Sequence, residues 1–111
     1  MSELPITPED LLAGAAVTYA VALPAEIVWP GKSDMDKEPV VTLKPLTIGT
    51  FQLIMKASRQ DVSLIPLLMI KESLVQPSLT IEQVKSLPLG LVNYLIGRIR
   101  DISGLVEKKS P

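Results

Sequence analysis

The chain contains no cysteine and no histidine. Without cysteine there are no disulfides, no thiolate catalysis and no zinc–sulfur site. Without histidine the commonest general base and the commonest transition-metal ligand are missing. Aromatic residues are few: Tyr19, Trp29, Phe51 and Tyr94. No block of one charge sign exists, and 11 basic against 12 acidic residues leave a net charge of -1. Nothing in that balance draws the chain to a phosphate backbone or an anionic lipid surface. The lack of a basic patch with interleaved aromatics argues against nucleic-acid binding. No secretory signal is expected, because MSELPITPED is acidic where a signal carries positive charge. The apolar run Leu11 to Leu23 includes Gly14, Thr18 and Tyr19. It is shorter than the ~20 residues of a membrane span, so it reads as core and no membrane association is expected.

What the chain does have is aliphatic material. Its 111 residues are 47% hydrophobic, with a mean hydropathy of +0.33. That length suits one domain with a modest core. A small domain has much surface, so some of its aliphatic side chains reach that surface or meet a partner. No internal repeat or low-complexity segment interrupts the single domain expected over residues 1–111. It divides into a helix, strand and loop portion (1–45), a helical portion (46–106) and a flexible tail (107–111).

Local signals order the elements. Thr7-Pro8-Glu9-Asp10 has a capping hydroxyl, a proline suited to the first helical position and two carboxylates for the positive end of the dipole. That helix either stops near Gly14 or runs through the alanines to Ala22. From Val17 the alternation Val17, Tyr19, Val21, Leu23 favours a strand ending at Pro24. Ile27-Val28-Trp29 is a further short apolar run, closed by the turn signal Pro30-Gly31. A polar hairpin loop, GKSDMDKE, precedes a strand from Pro39 to Leu43. A small antiparallel sheet of two or three strands is expected, lying on helices because isolated hairpins are marginal.

The stretch Val40 to Thr50 switches the chain from strand to helix. Pro45 ends pairing and pushes Lys44 from helical geometry, and Thr47 caps a helix of about Ile48 to Ser58. Ser63 is the expected cap of a second helix, about Leu64 to Val75, apolar nearly all round and therefore central or covered. Thr80-Ile81-Glu82-Gln83 is a capping box for a short helix ending near Leu87. Pro88 begins a last helix to about Ser103, with a stripe of Leu91, Val92, Leu95, Ile96, Ile99 and Ile102. Gly104 follows where a left-handed residue closes a helix. The fold class is α+β: a small N-terminal antiparallel sheet on a C-terminal bundle of three to four short helices.

Reactive constellations are weak. Gly31-Lys32-Ser33 ends like a phosphate-binding loop, but Glu26 stands where the first glycine belongs. Asp34, Asp36 and Glu38 alternate like calcium ligands without the turn glycine or distal glutamate. Ser73 with Lys71, and Ser86 with Lys85, are too close in sequence to face each other on a helix. An enzyme is not expected, and neither cofactor nor metal is implied. The apolar helix Leu64 to Ile70 carries most of the functional reading. Its bland role is domain core; its functional role is a docking surface for an apolar partner helix. The expected partner-binding residues are Leu64, Leu67, Leu68 and Met69, with Leu46 and Phe51 beside them.

The block Val40 to Leu105 resembles the small tail-assembly proteins of tailed phages and related contractile particles. The resemblance runs through "L-K-P-L-T-I-G" (Leu43 to Gly49), similar to an "L-R-P-L-T-V-G" element of such families with Lys44 where Arg is more usual. It continues in the aliphatic helix LIPLLMIKESLV, the "L-T-x-E-x-V-x-x-L-P" segment (Leu79 to Pro88) and a closing "S-G-L" (Ser103 to Leu105). The first 39 residues carry no match. One such family is the tail assembly chaperone, which implies binding of the tape-measure protein while the tail tube forms, in the bacterial cytoplasm. The other comprises baseplate hub assembly proteins of contractile tails, which implies a place in the particle. A generic small protein-binding adaptor is the remaining expectation, and a homo-oligomer is compatible with each.

Overall fold

The computed structural model describes residues 3–31 and 38–105. The GKS segment's Lys32 and Ser33, the carboxylates Asp34 and Asp36, and the tail from residue 106 lie outside the described residues.

The chain opens with α1 (Pro8–Ala13). Thr7 Oγ1 accepts from Asp10 N at 3.2 Å, and Thr7 N donates to Asp10 Oδ2 at 3.0 Å. This closes a capping box with proline at the helix start. The helix stops early, as one of the two expected readings had it. A 3₁₀ turn, Gly14–Ala16, follows, and then β1 (Tyr19–Ala22).

β1 pairs antiparallel with β2 (Val40–Leu43), Tyr19 opposite Leu43 and Val21 opposite Val41. Only the end of the expected alternation is buried: Val21, Leu23 and Leu43 are buried while Ala20 and Ala22 face out, but Val17 and Tyr19 of the same stripe are exposed, so the run Leu11 to Leu23 is core only from Val21 on. Ile27-Val28-Trp29 does not extend the sheet. Pro24 starts a single helical turn, α2 (Ala25–Val28), which packs on the last helix.

The third strand comes from the C-terminal half. α3 (Ile48–Ala57) and α4 (Leu64–Ser73) follow the strand-to-helix switch. The expected helix to Val75 ends at Ser73, and Leu74–Gln76 form β3 on the far side of β2. Two forces stop the helix. Pro77 disfavours helical geometry at Gln76, and β2 offers a row of hydrogen-bonding groups that exposed helix ends lack. The sheet is three-stranded, antiparallel and ordered β1-β2-β3, so the fold is α+β with one strand contributed from among the helices.

Ser63 makes no capping bond for α4. Asp61 acts instead: its carboxylate accepts from the Ser63 hydroxyl and from Ser63 N at 3.0 Å. The Ser63 hydroxyl, then its N–H, hold the Asp61 carboxyl below the usual carboxylate range, against a small opposing effect of burial. α5 (Ile81–Lys85) has the expected capping box, Thr80 with Gln83. α6 (Leu89–Ile102) ends in a Schellman closure. Gly104 takes φ +74°, Leu105 N donates to Arg100 O at 2.8 Å, and Gly104 N donates to Asp101 O at 3.3 Å.

α4 is the central helix, packing against α3, α5, α6 and β3. Its Met69 and Ile70 join Leu43, Ile54, Leu74, Val84, Leu91, Val92, Leu95 and Ile99 in one buried cluster. Two serines tie the switch segment to that core. Lys44 N donates to Ser73 O at 2.9 Å, and the buried Ser73 hydroxyl donates back to Lys44 O. Leu46 N donates to Ser103 Oγ at 2.9 Å. Ser73→Ala removes one hydroxyl bond and leaves a partly buried carbonyl without its donor. Urea unfolding is expected to show a loss of about 1–3 kcal/mol. Among the described residues no helix is long and apolar enough to cross a membrane.

Candidate functional site

Part of the exposed apolar surface lies on α3, with Ile48, Leu53 and Met55 exposed. Thr47 Oγ1 caps this helix by accepting from Thr50 N at 3.2 Å, which fixes where its faces fall. At helical spacing, Ile48, Phe51 and Met55 lie along one side, and Thr50, Leu53, Ile54 and Ala57 along another. A surface helix usually buries one such stripe. Here Ile54 is the one buried apolar residue of α3, while Ile48 is 74% exposed and Leu53 68%. At the helix C-terminus the buried Ser58 hydroxyl has no hydrogen-bond partner among the described residues. With Ile54 its one buried apolar residue, α3 buries fewer residues than α4 or α6.

A groove flanks α3 on each side. The first, about 280 Å³, is lined by Thr50, Leu53, Ile54, Ala57, Leu68 and Glu72, between α3 and α4. The second, about 430 Å³, is lined by Phe51, Ile65, Pro66, Met69, Ile96, Arg100 and Leu105. Phe51 and Leu105 also border an adjoining depression with Leu46, Thr47, Ile48 and Ser103. Two sequence motifs 57 residues apart, LKPLTIG and SGL, thus meet through the Leu46–Ser103 hydrogen bond and share one groove wall.

Of the residues expected to bind a partner, Leu68 borders the first groove; Leu46, Phe51 and Met69 border the second or its extension. Leu46 and Leu68 are half-buried against the core, Phe51 is half-buried, and Met69 is buried at 6% exposure. Leu64 and Leu67 are half-buried; Leu67 packs on the core cluster, and neither lines these grooves. Leu53 and Ile48 were missed. The available signal was the second stripe, Thr50, Leu53, Ile54 and Ala57, which makes α3 more apolar than one core-facing side requires.

The described residues do not bring together three or more Asp or Glu side chains able to hold a metal. Ion pairs among them are exposed and local: Lys71–Glu72, Lys85–Glu82 and Arg98–Asp101. Such pairs contribute about 0–1 kcal/mol each and position nothing. The chemistry on offer is therefore apolar contact, edged by Glu72 at one groove and Arg100 at the other.

Searches with the sequence against protein-family models and curated proteins, and with the fold against solved structures, find no match.

Proposed function

We propose that this chain is a non-enzymatic assembly protein of a phage tail or phage-like contractile particle, which binds the tape-measure protein while the tail forms. One observation carries the binding part of this reading: α3 leaves Leu53 exposed beside a groove that ends at Leu68. A partner helix laid there places aliphatic side chains at one-turn intervals against Leu53, Ala57 and Leu68 and removes that surface from water. The absence of histidine and cysteine and the apolar lining of the groove support binding without catalysis. The partner's class rests on the resemblance of the Val40–Leu105 block to tail-assembly proteins. The meeting of that block's first and last motifs at Leu46 and Ser103 supports treating them as one unit.

Co-expression with a phage tape-measure protein tests the reading. A soluble complex that co-purifies is expected, together with absence of the chain from finished particles by mass spectrometry. Stoichiometric presence in those particles would overturn the chaperone role and assign the chain to the baseplate hub.

A further inference from the structure

The N-terminal arm that leads into β1 is built but has no buried residue. Every residue from Glu3 to Ala20 is exposed, with Leu4 at 87%, Leu11 at 72% and Leu12 at 71%. Yet the arm carries a complete capping box and a proline at the helix start. A helix of six residues is far below the length that holds itself together in water. These devices therefore suit a helix that is completed by seating on a surface.

Charge identifies the surface. All 11 basic residues of the chain follow residue 31. The stretch before them carries Glu3, Glu9, Asp10 and Glu26 and no base. The groove lined by Phe51, Ile65, Pro66, Met69, Ile96 and Leu105 has one charged lining residue, Arg100. Arg100 makes no ion pair among the described residues, in contrast to Arg98 beside it. Leu11 and Leu12 with Glu9 and Asp10 match that apolar floor with its cationic edge.

We propose that the arm of one copy seats in the Phe51–Arg100–Leu105 groove of a second copy, and the reverse, forming a two-fold arm-exchanged dimer. A stable interface buries about 1,200–2,000 Å² in total. One short arm in one groove is small against that figure; reciprocal exchange doubles it and closes the assembly. It also covers both unpartnered surfaces at once, whereas an unrelated occupant of the groove leaves the arm bare. The groove between Leu53 and Leu68 stays open in this arrangement.

Sedimentation velocity on the full chain tests the exchange. A concentration-dependent monomer–dimer equilibrium in the micromolar range is expected for the unaltered chain. Leu11→Glu with Leu12→Glu, on side chains exposed in the monomer, is expected to weaken it about 100-fold or more. Arg100→Glu with Leu105→Glu, which alters the groove's exposed rim, is expected to do the same. Mixing the two double variants restores one of the two arm–groove seats and is expected to give a heterodimer weaker than the unaltered dimer but tighter than either double variant alone. A chain that stays monomeric up to about 500 µM overturns the proposal. So does a dimer that survives the arm substitutions, or a mixture that associates no more tightly than either double variant alone while the unaltered chain dimerises. None of these outcomes depends on the tape-measure protein.

Discussion

Ile70→Ala lowers the free energy of unfolding by about 2–5 kcal/mol, the largest stability effect expected in this chain. Ile70 is fully buried on α4, the helix that touches α3, α5, α6 and β3. Truncation opens a cavity inside the one buried cluster, among closely packed side chains that collapse only partly to fill it. Domains of this size are stable by only about 5–15 kcal/mol. The variant is therefore expected to be partly unfolded at elevated temperature, with a clearly lower urea midpoint at unchanged slope. A loss below about 1 kcal/mol would show that α4 is not the centre of the core.

Leu53→Asp is expected to do the opposite: leave stability within about 1 kcal/mol of the parent and weaken partner binding. Leu53 is mostly exposed, so its replacement removes few core contacts. It also forms one wall of the first groove, where an unpaired carboxylate would have to be desolvated beneath a partner helix. A loss of about 2 kcal/mol or more, roughly 30-fold in affinity, is expected. Leu89→Asp is the control. It is 76% exposed on α6 and borders neither groove, so binding should persist. Leu68→Asp is less discriminating, because Leu68 both lines the groove and packs on the core. Its loss of binding would come with loss of stability.

What was legible in the sequence was local. Thr7, Thr47 and Thr80 cap helices as their hydroxyls and downstream partners indicated, since a capping bond spans only three residues. Gly104 closes α6 in the left-handed region for the same reason. The third strand was not legible, because Leu74–Gln76 is a strand only through its pairing with β2, more than thirty residues earlier. Nor was α2, a single turn started by Pro24 and held by packing on α6. Ser63 gave the right helix start for the wrong reason, because Asp61 closes that turn.

The apolar excess was also legible, but its location was not. Composition implied more aliphatic surface than one small core absorbs, and the all-round apolar helix Leu64–Ile70 was the obvious holder. The fold gives that helix neighbours on several sides and makes it central. The uncovered surface sits instead on α3 and on the N-terminal arm. The second stripe on α3 signals surplus apolar surface but does not say which side another element covers. Burial is decided by which elements the sheet and the serine-tied switch place over one another. The Ser73–Lys44 and Ser103–Leu46 hydrogen bonds therefore matter to the proposed binding surface: they join the segment that enters α3 to the end of α4 and to the residue that closes α6.

Hydrogen–deuterium exchange on the chain, alone and saturated with the tape-measure protein, tests the docking face most directly. Ile54 is the one buried apolar residue of α3, so its amides are expected to exchange by local opening that a bound partner must suppress. Slower exchange across residues 48–57 and the facing part of α4, with α5 unchanged, is the predicted result. Unchanged exchange in α3 despite a stable complex, or protection confined to α5, would contradict it.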